Sequence, residues 1–146
     1  MKLAEQSAPQ SGWSHFPHGA DVGVQGFGPT PSVAFEQVAA ALTALITDPA
    51  SVRPDSAVHI ACKSNDLETL LVDWLNALIY EMAVRHMLFS WFQVRILNSH
   101  LEAEAWGETV DPVRHQPVVE PKGATYTELR VTGDDHHWIA QCIVDV

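Results

Sequence analysis

Residues 58–86 read VHIACKSNDLETLLVDWLNALIYEMAVRH, and two different periods meet inside that stretch. Val58, Ile60 and Cys62 alternate with His59, Ala61 and Lys63, the two-residue repeat of a half-buried strand. Ser64-Asn65-Asp66 breaks the alternation. Leu67, Leu70, Leu71, Trp74, Leu75, Leu78, Ile79 and Met82 then recur at helical spacing as one wide apolar stripe. Asn65 with Glu68 three positions later has the spacing of a capping box, so the chain's longest helix is expected over 66–86. A strand that feeds an amphipathic helix needs a sheet for both to pack on.

Working outward from that pair, Val22 and Val24 alternate with Gly23 and Gln25 in an extended segment over 20–27. Thr30 can cap a helix and Pro31 suits its first position. Phe35, Val38, Ala39, Leu42, Leu45 and Ile46 give the resulting helix, 32–47, one apolar face, and Asp48-Pro49 ends it. Downstream, 88–97 and 100–106 flank Asn98-Ser99 as a hairpin, and 125–131 and 138–144 flank Gly133-Asp134-Asp135 as another. Strand, helix, strand, helix and four antiparallel strands predict a sandwich-like α+β domain, two helices packed on one face of a mostly antiparallel sheet. Residues 1–12, rich in Ser, Gln, Ala and Pro, read as a flexible tail, and 13–146 as the domain.

At 146 residues with 47% hydrophobic content, the chain has core material for a single domain without staples. Eighteen acids against eight bases leave a formal charge of −10, and the bases are scattered along the chain. Phosphate binding needs clustered Lys and Arg, so nucleic acid and anionic membranes are disfavoured as direct partners; a basic protein or a cation suits the balance better. Cys62 and Cys142, without a CxxC pair, are expected as buried thiols. Neither a signal-peptide core nor an 18-residue apolar run is present, and a cytoplasmic protein is expected.

Asp145 is the anomaly, a carboxylate in Trp-Ile-Ala-Gln-Cys-Ile-Val-Asp-Val at the end of the sequence. Desolvating it is costly unless a charge, hydrogen bonds or a metal meets it. With the terminal Val146 adjacent, a second acid from elsewhere would create an oxygen-rich pocket for a hard cation such as calcium or magnesium. A frayed, solvated end accounts for the same residues, and spacing alone favours it. His15-Phe16-Pro17-His18-Gly19-Ala20-Asp21 offers imidazoles and a carboxylate before a strand, but an HxxD tetrad arises readily by chance. His136-His137 reads as a solvated hairpin tip. The loop 107–115 gathers Glu108, Asp111, Arg114 and His115, with a structural turn before Pro112 as an equal reading. Lys122, near Tyr126, is either a partner contact or a snorkelling surface lysine. GVQGFG lacks the spacing and the Lys-Ser/Thr of a phosphate loop.

In their order along the chain, His18-Gly19-Ala20-Asp21, the run from Asp66 through Leu71-Val72-Asp73-Trp74-Leu75-Asn76, Ala105-Trp106-Gly107-Glu108 with Asp111-Pro112 and His115, Lys122-Gly123-Ala124-Thr125-Tyr126 and the closing Ile143-Val144-Asp145-Val146 resemble the archease family from Trp13 onward. Gly19 stands where the family usually has Thr, Pro121 and Gly123 flank Lys122 in place of an aliphatic residue and Ala, and Thr127 stands where many members have His. The resemblance implies a non-enzymatic activator of the RtcB-type RNA ligase that joins 3′-phosphate or cyclic-phosphate ends to 5′-hydroxyl ends in tRNA splicing and repair. It implies promotion of the ligase's guanylylated histidine, with GTP acting through the ligase and no stable direct nucleic-acid or membrane binding. It further implies a divalent cation, calcium before magnesium or manganese, held by Asp21, Asp145 and Val146. His18, His115, Lys122 and Tyr126 are the implied contacts to partner or nucleotide. Two alternatives stand beside this: a metal-dependent phosphoester hydrolase using Asp21, Asp145 and a nearby His, and a chaperone-like modulator of RNA-modifying enzymes.

Overall fold

The computed structural model describes residues 10–146. Its strands are β1 (Gly12–His18), β2 (Asp21–Gly28), β3 (Ser56–Lys63), β4 (Met87–Leu97), β5 (His100–Thr109), β6 (Gly123–Ala124), β7 (Arg130–Gly133) and β8 (Trp138–Asp145). Its helices are α1 (Pro31–Ile46), α2 (Leu67–Arg85) and the four-residue α3 (Pro112–His115), with a 3-10 turn at Pro49–Ser51. The α+β class and the antiparallel pairing are as expected, but the strands divide into two sheets. One runs β1-β2-β8-β6 with β7 also on β8; the other runs β3-β5-β4. Of the expected tail, residues 1–9 lie outside the described residues, while Gly12 already pairs with Phe27 and so belongs to the domain.

The helices follow the periodicities that predicted them. Thr30 caps α1 by accepting the Val33 N–H, and Pro31 fills the first turn. α2 is capped by Asp66, which accepts the Thr69 N–H at 2.8 Å, and not by Asn65; the capping-box register was one residue early. That N–H holds the Asp66 carboxyl below its usual range. α1 packs against β1, β2 and β8 of the first sheet and β4 of the second, and α2 touches strands of both sheets, so the two helices serve two sheets. Gly26 makes the closest approach possible, since a Cβ there would stand 2.3 Å from the Val38 backbone nitrogen. The fully buried Trp74 ties the helices together, its indole N–H donating to the Phe35 carbonyl at 3.0 Å and its ring meeting Phe92 edge-on.

Three features escaped the sequence reading. β1, GWSHFPH, was expected only as the start of the domain; it is an edge strand, where Pro17 is tolerated and apolar alternation is not required. Of the segment expected as strand over 125–131, residues 125–129 are not strand; β6 ends before them and β7 begins at Arg130. The third concerns the open edge of β4, which α1 covers: the Val94 N–H donates to the Glu36 carboxylate at 2.9 Å, and the Ile96 N–H donates to Ser32 Oγ at 3.2 Å. An uncovered strand edge is a template for unwanted pairing. No helix among the described residues is long and apolar enough to cross a membrane.

Candidate functional site

The β1–β2 hairpin turns in two residues, Gly19 and Ala20, with His18 paired to Asp21. Gly19 takes φ +60, a backbone region that glycine occupies freely, and a glycine at the first central position suits a two-residue hairpin. On the other side of β2, Val22 pairs with Val144, so one further antiparallel step sets Asp21 opposite Asp145. Gly123 pairs with Asp145 in turn. Cross-strand partners project to the same face, so His18, Asp21 and Asp145 form one row across the end of the first sheet. The face is the one turned away from α1, because Gly26, on the opposite alternation, meets that helix. Further along the same outer face, Ser14, Gln25, Gln141 and Arg130 form a hydrogen-bonded polar row.

The last residue closes the corner. The Val146 N–H donates to Asp21 Oδ1 at 3.3 Å, across 125 positions of sequence, and leaves the second carboxylate oxygen available. Asp21 and Val146 are half-buried and Asp145 is exposed. Lys122 joins through its backbone, its N–H donating to the Asp145 carbonyl at 2.8 Å. That placement depends on Asn76 of α2, whose side chain accepts the Ala124 N–H at 2.8 Å and donates to the Ala124 carbonyl at 3.4 Å. Thr125 adds two bonds to the Ile143 carbonyl. His18, Lys122 and Tyr126 are exposed, His18 being the cross-strand partner of Asp21. Asn76 had been read only as part of a helix signature; a polar residue beside the apolar stripe was the available sign of its clamp.

His115, expected as a contact to partner or nucleotide, lies apart from the corner in a separate cluster. It is buried, its Nδ1 accepts the Asp111 N–H at 2.8 Å, and its Nε2 faces Glu108 Oε2 at 2.9 Å. Accepting at Nδ1 fixes the Nε2–H tautomer. Glu108 is also gripped by Arg114 through two 2.8 Å bonds and by the Arg53 N–H at 2.8 Å. The guanidinium of Arg114 first, then the Arg53 N–H and His115, hold the Glu108 carboxyl far below the usual carboxylate range. The Thr47 hydroxyl bonds the His115 carbonyl at 2.6 Å, so the cluster locks the loop to the end of α1.

Two cysteines were expected as buried thiols; Cys142 is buried and Cys62 half-buried, and both are free. Burial pushes the Cys142 thiol up to about 12, and burial together with the Asp73 carboxylate pushes Cys62 up to about 11, so both stay protonated at neutral pH. The His136-His137 tip is held by Asp134, which accepts both backbone N–H groups, as a solvated turn requires. Among the described residues no cluster of three His, Cys, Asp or Glu side chains could hold a metal. The corner brings together the Asp21 and Asp145 carboxylates and the Val146 N–H.

Fold and corner together define a small acidic α+β domain in which two antiparallel sheets share two helices and two distant aspartates meet the last residue. The Archease protein family model matches residues 13–146. Protein archease of Pyrococcus furiosus is 34% identical over 139 residues, covering 92% of this chain and 98% of that protein. Protein archease of Methanopyrus kandleri is 35% identical, covering 92% and 99%. The solution structure of Methanobacterium thermoautotrophicum protein 1598 superposes with a TM-score of 0.80 at 28% identity, covering 92% of this chain and 99% of that one. A crystal structure from Thermotoga maritima, described as an archease and possible chaperone, shares the fold at 14% identity with a TM-score of 0.60, covering 90% and 94%. The chain belongs to the archease family.

Proposed function

We propose that this protein activates an RtcB-type RNA ligase, promoting guanylylation of the ligase histidine and multiple turnover in tRNA splicing or RNA repair in the cytoplasm. The observation that carries the reading is the meeting of Asp21 with the Val146 N–H at 3.3 Å, beside Asp145, in a chain of the archease family. Asp21, Asp145 and Val146 would hold one divalent cation, calcium first, with magnesium or manganese able to satisfy the same oxygen donors. A bound cation supplies concentrated positive charge at a corner otherwise made of carboxylates. Asp21 is oriented by the Val146 N–H, and the exposed Asp145 presents its oxygens outward. The chain's charge of −10 draws it toward the basic surface that an RNA-handling enzyme must carry. His18, Lys122 and Tyr126 surround the corner as contacts to the partner or its nucleotide.

The test is a multiple-turnover ligation assay with the ligase of the same organism, GTP, calcium and an RNA bearing 3′-phosphate and 5′-hydroxyl ends. Asp21→Ala and Asp145→Ala are expected to cut the stimulation about tenfold or more, the scale on which loss of ordered metal ligation acts. Wild-type stimulation by both variants would remove the corner from the mechanism. Phosphoester turnover by the isolated chain would instead identify a hydrolase.

A further inference from the structure

An apolar groove of about 390 Å³ opens beside the acidic corner. Ile79, Met82 and Ala83 of α2 form one wall, Met87 and Leu88 of β4 the floor, and the segment Pro117–Pro121 the far lip. The lip, Pro117 with Val119 to Pro121, is tied down where the Val118 N–H donates to the Ile46 carbonyl at 2.9 Å, while Val118 itself borders a separate hollow. One helical face along, Tyr80 and Val84 are exposed. A soluble domain scatters exposed apolar side chains; gathering them around a preformed hollow marks an interaction surface.

Two observations say what fills it. Pro121 lines the groove and the next residue, Lys122, bonds the Asp145 carbonyl at 2.8 Å, so groove and corner are one continuous surface. The rim carries Glu120 on the groove, then Asp145 and Asp21, against the ammonium of Lys122 and the exposed imidazole of His86, while Arg85 is taken by Glu81 four residues before it. An apolar hollow with an acidic border is complementary to a peptide segment that presents a large apolar anchor flanked by Lys or Arg. We propose that the groove receives such a segment of the RNA ligase, whose basic surface supplies the flanking charges; this rests on the ligase reading above. The corner and the groove then act as two halves of one dock, the groove fixing the orientation in which the carboxylates approach.

The experiment measures binding of the purified ligase of the same organism by calorimetry in calcium buffer. Ala83→Arg, at an exposed helix position, places a long cationic side chain in the hollow, and Val119→Ser lowers the apolar character of the opposite lip. Loss of a central apolar anchor predicts about thirtyfold weaker binding for Ala83→Arg and a smaller loss for Val119→Ser, both persisting in high salt. Glu120→Lys should weaken binding about tenfold at low salt and far less at high salt, since exposed charges are screened. Ligase that binds wild type and Ala83→Arg with equal affinity overturns the groove and leaves the ligase reading standing. Ligase that does not bind wild type at all overturns both. Concentration-dependent dimerisation of the wild-type chain, abolished by Ala83→Arg, assigns the groove to a second copy of the chain and also overturns the proposal.

Discussion

Glu108 and Asp21 are both carboxylates at strand ends of the same small domain, yet their surroundings are opposites. Glu108 accepts from Arg114 twice, from the Arg53 backbone and from a buried His115, while the His115 ring spends its other nitrogen on Asp111. Asp21 accepts one backbone N–H, from Val146, and has Asp145 as its cross-strand neighbour; among the described residues no Lys, Arg or His side chain pairs with either. The first cluster is complete within the chain, so its geometry holds a loop to a helix. Among the described residues the second gathers two carboxylates with no base paired to them, which leaves them open to a cation from outside. Sites rich in charged residues are thus divided by satisfaction and not by composition.

The largest test of that division is His115→Ala. It leaves a cavity, strands the Asp111 N–H and removes one Glu108 partner, for an expected loss of about 2–4 kcal/mol by urea unfolding. Asp145→Ala, measured without divalent cation, should stay within about 0.5 kcal/mol of wild type. Comparable losses for the two would erase the contrast. Next in size is the response to calcium. A ligand that binds the folded state alone stabilises by about 2.7 kcal/mol at a hundredfold excess over its dissociation constant, so the wild-type melting curve should move upward with calcium. The Asp21→Ala curve should not move, and a His115→Gln protein that remains folded should respond like wild type.

Acid should draw the larger loss from the sealed cluster. Glu108 and Glu104 both titrate below the ordinary glutamate value of 4.5, Glu104 at about 2 because Arg95 first and then His59 hold its charged form. Groups depressed in the folded state contribute stability above 4.5 and lose it as the pH falls toward the folded value. Glu108→Gln should therefore be less stable than wild type at pH 7 and flatten the decline of stability below 4.5, with Glu104→Gln showing the same change more weakly. A wild-type decline that neither variant alters would break the assignment.

Helical stripes such as Leu70, Leu71, Trp74 and Leu78 were legible because period and burial are the same fact seen twice. β1 was not, since an edge strand with an outward face needs neither apolar alternation nor the exclusion of proline. The cap at Asp66 instead of Asn65 shows the ordinary one-residue uncertainty between neighbouring side chains of equal capping power. For the corner, Asp145 was conspicuous among apolar neighbours and Asp21 stood out only weakly, in an HxxD tetrad; family resemblance alone paired the two. Spacing could not reveal His115 as buried, because its neighbours include Thr47 at the end of α1, distant in sequence.

The smallest effect concerns a carboxylate that belongs to neither class. Glu36 is half-buried and covers the β4 edge by accepting the Val94 N–H, and burial raises its carboxyl above the ordinary value although that N–H lowers it. A raised folded-state value means the charged form is disfavoured in the fold, so wild type carries a penalty near neutral pH that fades as the carboxyl takes up a proton and is gone below 4.5. Glu36→Gln keeps an acceptor for Val94 without the charge. It should gain a few tenths of a kcal/mol at pH 7, a small gain because solvent reaches the group, and the gain should vanish in acid. A loss at pH 7 would mean that the charge itself strengthens the edge bond, placing Glu36 with Glu108 among the carboxylates the fold uses in their ionised form.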